Sequence, residues 1–85
     1  MRNINFNRDA FKEFSEFAET NKKQFVKISK LIIEISRTPF EGIGKPEPLK
    51  NVLSGYWSRR IDDYNRIIYE VTDEAINIIS CKGHY

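Results

Sequence analysis

The chain has 85 residues, of which 40% are hydrophobic, 13% aromatic and 31% charged, with four glycines and three prolines. That is enough for one modest core, too short for a multi-domain enzyme and too apolar for a disordered tail. The formal charge of +2 does not by itself make a nucleic-acid binder. No apolar run approaches the roughly 20 residues that cross a bilayer, and the single cysteine cannot close an internal disulfide; together these predict a soluble, cytoplasmic single domain with no membrane contact.

Residues 2–6 (RNINF) alternate polar and apolar, with Ile4 and Phe6 on one side, and predict a short first strand. A helix should follow at once: Asn7 is a good N-cap, Asp9 lies in the first turn, and Phe6 and Phe11 stand at the two positions of a hydrophobic staple. Phe11, Phe14 and Ala18 then share a face. Asn21 can both end this helix and cap a second one, in which Phe25, Ile28, Ile32 and Ile35 recur every three or four residues beside Leu31. The opposite face carries Lys23, Lys27, Lys30, Glu34 and Arg37, which fits either a solvated surface or a stripe that touches phosphates.

From Thr38 to Gly55 the periodicity breaks at Pro39, Gly42, Gly44, Pro46 and Pro48, predicting a long ordered loop. Three β-rich runs follow, YWSRRI (56–61), NRIIYEV (65–71) and AINIISC (75–81), spaced as an antiparallel meander. The predicted fold is α+β: an N-terminal strand, a helical hairpin, then a three-strand meander, all strands in one sheet with the helices on one face. A two-residue turn after Thr72 pairs Val71 with Ile76, Tyr69 with Ile78 and Arg66 with Cys81. Under that register Tyr85, not His84, shares the face of Arg66, and a bulge or turn is needed to bring His84 across.

One histidine and one cysteine cannot supply a metal site, so neither a metal nor any cofactor is expected. The Gly42–Lys45 stretch lacks the spacing of a phosphate-binding loop, and Cys81 at the end of an apolar strand fits an inert core thiol. Positive charge gathers in the middle, where residues 44–61 hold Lys45, Lys50, Arg59 and Arg60 against Glu47 alone. Glu47, Arg66 and His84 could supply the base, the cation and the acid that phosphodiester transesterification needs. Each also fits a plainer role: a solvated loop carboxylate, a strand arginine paired with Glu70 or Asp63, and a tail histidine.

The stretch TPFEGIGKPEPLKNVLSGYWSRRIDDYNRIIY (38–69) closely resembles the YoeB toxins of the RelE-like superfamily, and the terminal CKGHY resembles their ending. The likeness covers nearly the whole chain in order and spacing. It implies a ribosome-dependent mRNA interferase that enters the ribosomal A site, cuts mRNA without a metal, tends to form homodimers and is silenced by a YefM-like antitoxin. Glu47 of the KPEP motif matches the general base, Arg66 the phosphate-stabilising arginine, His84 the general acid and Tyr85 the orienting tyrosine. Lys50 and Arg60 match basic positions near the scissile phosphate, with Lys45 and Arg59 beside them as RNA-binding candidates, and Trp57 reads as core. Two positions depart from the pattern. Asn65 replaces the usual histidine before the arginine and Gly83 the usual terminal aromatic, which implies a looser tail with less stacking surface, for which Tyr64 is a substitute. A noncatalytic module that grips the ribosome or an antitoxin is the alternative reading.

Overall fold

In a computed structural model the chain runs β1 (Asn3–Phe6), α1 (Arg8–Thr20), α2 (Lys22–Arg37), β2 (Glu47–Pro48), a 3₁₀ turn (Asn51–Leu53), β3 (Tyr56–Arg60), β4 (Arg66–Val71) and β5 (Ala75–Ser80). The structure describes residues 1–83; the expectations placed on His84 and Tyr85 lie outside the described residues.

Both helices start where their caps require. Asn7 Oδ1 accepts from the Ala10 N–H at 2.7 Å, and Phe6 meets Phe11 edge-on with ring centroids 5.9 Å apart. A single residue joins the helices: the Asn21 N–H donates to Phe17 O at 2.8 Å, closing α1, while its Oδ1 accepts from Gln24 N at 3.1 Å, opening α2. Phe14 packs on Phe6 of β1 at 5.2 Å and on Phe25 of α2 at 4.6 Å, so one aromatic row ties the hairpin to the first strand.

The sheet order is β1-β5-β4-β3-β2, with β1 parallel to β5 and the other neighbours antiparallel. The helical pair provides the crossover that a parallel β1–β5 pairing demands. Its apolar stripe of Ile28, Leu31, Ile32 and Ile35 is buried against Ile67, Tyr69, Ile76, Ile78 and Cys81 from the sheet. Burial of each aliphatic side chain contributes about 1.5–3 kcal/mol. Trp57 packs at the edge of this core against Phe40, ring centroids 5.0 Å apart, which agrees with its predicted place.

Two local expectations need correction. The 38–55 loop contains an edge strand and a 3₁₀ turn: the prolines that hid the strand are compatible with it because an edge needs no ladder donor on its outer side. The β4–β5 register holds at Val71–Ile76 and Tyr69–Ile78, then shifts so that Ile68 faces Ser80. Ile79 is the extra residue of a bulge, so Arg66 does not face Cys81; the thiol turns into the core beside Ile67 instead.

Candidate functional site

The sheet face away from the helices gathers the chemistry. Pairing places Glu47 opposite Ser58, Ser58 opposite Ile68 and Ile68 opposite Ser80, one row across four strands, and the adjacent row begins with Arg60 opposite Arg66. Since paired residues share a face, Glu47, Ser58, Arg60 and Arg66 all stand on the open side. Glu47 and Arg66 are separated by two strand spacings, about 10 Å, and two residues along, about 7 Å. Their long side chains can therefore reach the same group from opposite sides above Ser58.

Charges in this patch are largely uncommitted. Glu47 is exposed and makes no ion pair among the described residues. Among the described residues the side chain of the half-buried Arg66 makes a single long hydrogen bond, from Nη1 to Ser58 Oγ at 3.4 Å, and pairs with no carboxylate. Arg60 pairs with the exposed Asp63 at 2.9 Å, a contact worth little in water. Two guanidinium groups directly across a strand pair repel, at about 0.2–1 kcal/mol, and an anion seated between them would relieve that cost. Lys50 is exposed beside Glu47 and lines, with Pro48, Leu49 and Leu53, a shallow depression of about 640 Å³ along the β2 edge. Lys45 is exposed as well, in the left-handed region at φ 52°, and Asn51 beyond Glu47 is left-handed too at φ 59°. Such conformations persist only where the surroundings impose them.

The RNA-binding expectation for Arg59 does not fit the place the structure gives it. Its side chain is 0% exposed, on the core side of β3, and all of its donors are spent inside the protein. Nη1 bonds Glu34 Oε1 and Ile43 O (3.2 Å), Nη2 bonds Thr38 O and Glu41 O (2.8 Å), and Nε bonds Tyr69 Oη at 3.3 Å. Tyr69 Oη in turn donates to Pro39 O at 2.7 Å, and Ile43 N donates to Glu34 Oε1 at 3.0 Å. Burial pushes the Tyr69 hydroxyl above its ordinary pKa, with Arg59 pulling the other way. One guanidinium thus satisfies the carbonyls of a loop that has no ladder of its own and sets the path leading to Glu47.

The glycines of this loop serve that arrangement rather than a nucleotide. At Gly42 (φ +127°) a Cβ would collide with Glu34 Oε1 and come within 3.0 Å of Arg59 Nη1; at Gly44 (φ +85°) it would lie 2.9 Å from Arg60 O. Gly42→Ala should cost about 1–3 kcal/mol from the backbone conformation alone, and more once Arg59 and Glu34 are pushed apart, read as a lower urea midpoint with an unchanged slope.

The turn between β3 and β4 rests on Asp62, whose Oδ1 accepts from the N–H groups of Tyr64 (2.8 Å) and Asn65 (2.6 Å). The Asn65 backbone bond is the main reason its pKa falls from 3.8 to about 2. A depressed carboxylate stabilises the fold above its unfolded pKa, so this contribution is complete above about pH 5 and disappears as the pH falls through about 2. The melting-temperature gap between the native chain and Asp62→Asn should accordingly narrow between pH 5 and pH 2.

Asn65 does more than depart from a pattern. Its Oδ1 accepts from Gly83 N at 2.9 Å, its Nδ2 donates to Asp62 Oδ2 at 3.1 Å, and next to it Arg66 N donates to Gly83 O at 2.8 Å. Glu13 of α1 accepts from Cys81 N at 2.8 Å. The expected looseness does not hold at Gly83, which is fastened at both of its backbone polar groups beside Arg66. Cys81 is fully buried, its thiol pushed up to about 12 by burial and by Glu13, as an inert core cysteine requires. Ser58, 1% exposed at the centre of the patch, is the member that the sequence reading missed; only the β2 register, hidden by two prolines, could have pointed to it.

This fold, with helices on one face and an open cationic face opposite, is that of a RelE-like toxin. The chain matches the model of the YoeB-like toxin of bacterial type II toxin-antitoxin systems over residues 6–85, and it belongs to that family. It is 47% identical to Toxin RelK of Mycobacterium tuberculosis over 85 residues, the whole of both chains. The YoeB dimer of Staphylococcus aureus superposes with a TM-score of 0.91 at 47% identity, covering 99% of this chain and 98% of that one. The YoeB-YefM complex from Staphylococcus aureus gives a TM-score of 0.90 at 48% identity, covering 100% of this chain and 99% of the other. No helix among the described residues is long and apolar enough to cross a membrane.

Proposed function

We propose that this toxin is a ribosome-dependent endoribonuclease that cuts mRNA in the A site by acid–base transesterification and is held inactive by a YefM-type antitoxin. The observation that carries the reading is the convergence of Glu47, Arg60 and Arg66 on one open sheet face, where Glu47 and Arg66 make no ion pair among the described residues and Arg60 makes an exposed one with Asp63. In this reading the Glu47 carboxylate takes the 2′-hydroxyl proton, and the 2′-oxygen attacks the adjacent phosphorus. Arg66, with Arg60 and Lys50, neutralises the charge gathering on the phosphorane oxygens. The bond to the 5′-oxygen breaks as His84 delivers a proton to it, leaving a 2′,3′-cyclic phosphate and a free 5′-hydroxyl. Tyr85 orients the substrate, and Lys45 contributes to RNA binding. Base, acid and cations are all side chains, so the reaction balances without a metal.

The modest net charge favours a guest on ribosomal RNA over an enzyme that captures free RNA unaided. Family complexes such as the one with YefM support an antitoxin partner here, and the Staphylococcus aureus dimer supports self-association. The test is the chemistry of the ends: RNA cut in the presence of ribosomes should carry a 5′-hydroxyl open to kinase labelling and a cyclic or 3′-phosphate. A 5′-phosphate product would rule this mechanism out.

Asn65 enters as a positioning residue. Asn65→Ala removes the acceptor for Gly83 N and the donor to Asp62, and should lower the cleavage rate about 10-fold with little change in ribosome affinity. Asn65→Asp combined with Asp62→Asn keeps the acceptor for Gly83 N and restores a donor between the two side chains, and should recover much of the rate; a loss equal to that of Asn65→Ala would show that the Gly83 contact is not what matters.

A further inference from the structure

The segment that follows β5 is held from the helix side of the sheet. β5 stops at Ser80, and the N–H groups of the next three residues are each taken by a side chain from a different place in the fold. Cys81 N donates to Glu13 Oε1 of α1 at 2.8 Å, Lys82 N to Ser80 Oγ at 3.4 Å and Gly83 N to Asn65 Oδ1 at 2.9 Å. Ser80 Oγ also lies 3.4 Å from Glu13 Oε1 and 3.0 Å from Lys82 O, so its one proton serves either acceptor. Packing does not dictate the far end of this segment: Gly83 is left-handed at φ +80°, and a Cβ built on it would meet nothing within 4 Å. Hydrogen bonds set its course. Of the three amide contacts, the one to Glu13 is the shortest and has a carboxylate as acceptor, the stronger kind.

We propose that Glu13, which comes from a helix on the face opposite the cationic patch, is a positioning residue for cleavage: it aims the segment that ends in His84 and Tyr85. The inference rests on the nuclease reading above and adds a remote determinant of its acid. Burial of the Cys81 thiol fixes where residue 81 sits. The Glu13 bond fixes how the peptide plane entering that residue is turned, and so the heading of Lys82 and Gly83. His84 follows Gly83 directly in the chain, and Gly83 O accepts from Arg66 N at 2.8 Å. A change of heading at Gly83 therefore passes straight to the acid and to its spacing from the arginine. Because a misplacement of about 1 Å at a reacting group costs up to about 10²-fold, a carboxylate that touches neither substrate nor reacting group has leverage on the rate.

The test is single-turnover cleavage on programmed ribosomes at saturating toxin, with circular dichroism of each variant as a control. Glu13→Ala should slow cleavage about 10-fold while the toxin concentration giving half-maximal rate stays as it was. Glu13→Gln, which keeps an acceptor oxygen at the same reach, should stay within about 3-fold of the native rate. Glu13→Asp draws the acceptor back by one methylene and should lose about 3- to 10-fold, which keeps the test alive if the alanine variant does not fold. In a His84→Ala background the Glu13→Ala change should cost less than about 2-fold more, since a residue that acts through another has nothing left to aim. Amide exchange at Gly83 in the free chain should be faster in Glu13→Ala and native in Glu13→Gln. Native-rate cleavage by Glu13→Ala and Glu13→Asp would overturn the proposal, as would equal losses in Glu13→Ala and Glu13→Gln, or losses that multiply in the double variant. A native chain that cuts nothing, with Gly83 exchange responding as described, would remove the nuclease reading and leave the hold of Glu13 on this segment standing.

Discussion

Glu47→Gln is expected to slow mRNA cleavage on programmed ribosomes by about 10²- to 10⁴-fold while leaving the melting temperature and YefM binding as they were. The amide has the shape of the carboxylate and none of its basicity, so it cannot take the 2′-hydroxyl proton. The fold should be indifferent, because Glu47 is exposed on a two-residue edge strand and makes no ion pair among the described residues. Arg66→Lys keeps a charge but loses the planar fork, and should cost about 10²- to 10³-fold, as removal of a transition-state donor does. A single-turnover assay at saturating toxin separates this loss from weaker ribosome binding. Cleavage by Glu47→Gln at the native rate would remove Glu47 from the mechanism.

Arg59→Leu is expected to cost about 3–5 kcal/mol of stability, the penalty for deleting one partner of a buried charge pair. The change strands Glu34, three backbone carbonyls and the Tyr69 hydroxyl at once, in a domain whose total stability is of order 5–15 kcal/mol. At roughly 4–8 °C per kcal/mol for a chain of this size, the melting temperature should fall by more than about 12 °C. Arg60→Leu, one residue away on the opposite face, exchanges only an exposed pair with Asp63 and should shift stability by less than about 1 kcal/mol while impairing RNA cleavage. Thermal melts of the two variants side by side check the assignment, which fails if they lose the same stability.

That neighbouring pair also shows where the sequence stops being informative. Strand alternation separates Arg59 from Arg60 but does not say which of them faces the helices. The answer depends on Glu34, 25 residues earlier, being free to meet a guanidinium at the foot of a loop. Helices were legible because their signals are local: Asn7, Asn21 and the Ile28–Ile35 stripe each act within a turn or two of themselves. The hairpin register was legible from Val71–Ile76 and Tyr69–Ile78 for the same reason. Beyond Tyr69 the bulge intervened, and nothing in IIS (78–80) marks it, since the driving force is the burial of Cys81 against residues far away in the chain. Glu47, Arg60 and Arg66 were named from their chemistry and from family resemblance. Their convergence became visible only with the pairing of β2 to β3, which also brought Ser58 into the patch.

The central claim is that this chain cuts mRNA only where a ribosome presents it. Mapping RNA ends after adding the purified toxin to ribosomes stalled with a defined A-site codon, alongside the same mRNA without ribosomes, tests it most directly. The account predicts new ends inside the A-site codon in the first reaction and intact RNA in the second. Cutting in both would contradict ribosome dependence, and translation arrest with no new ends in either would contradict the nuclease itself.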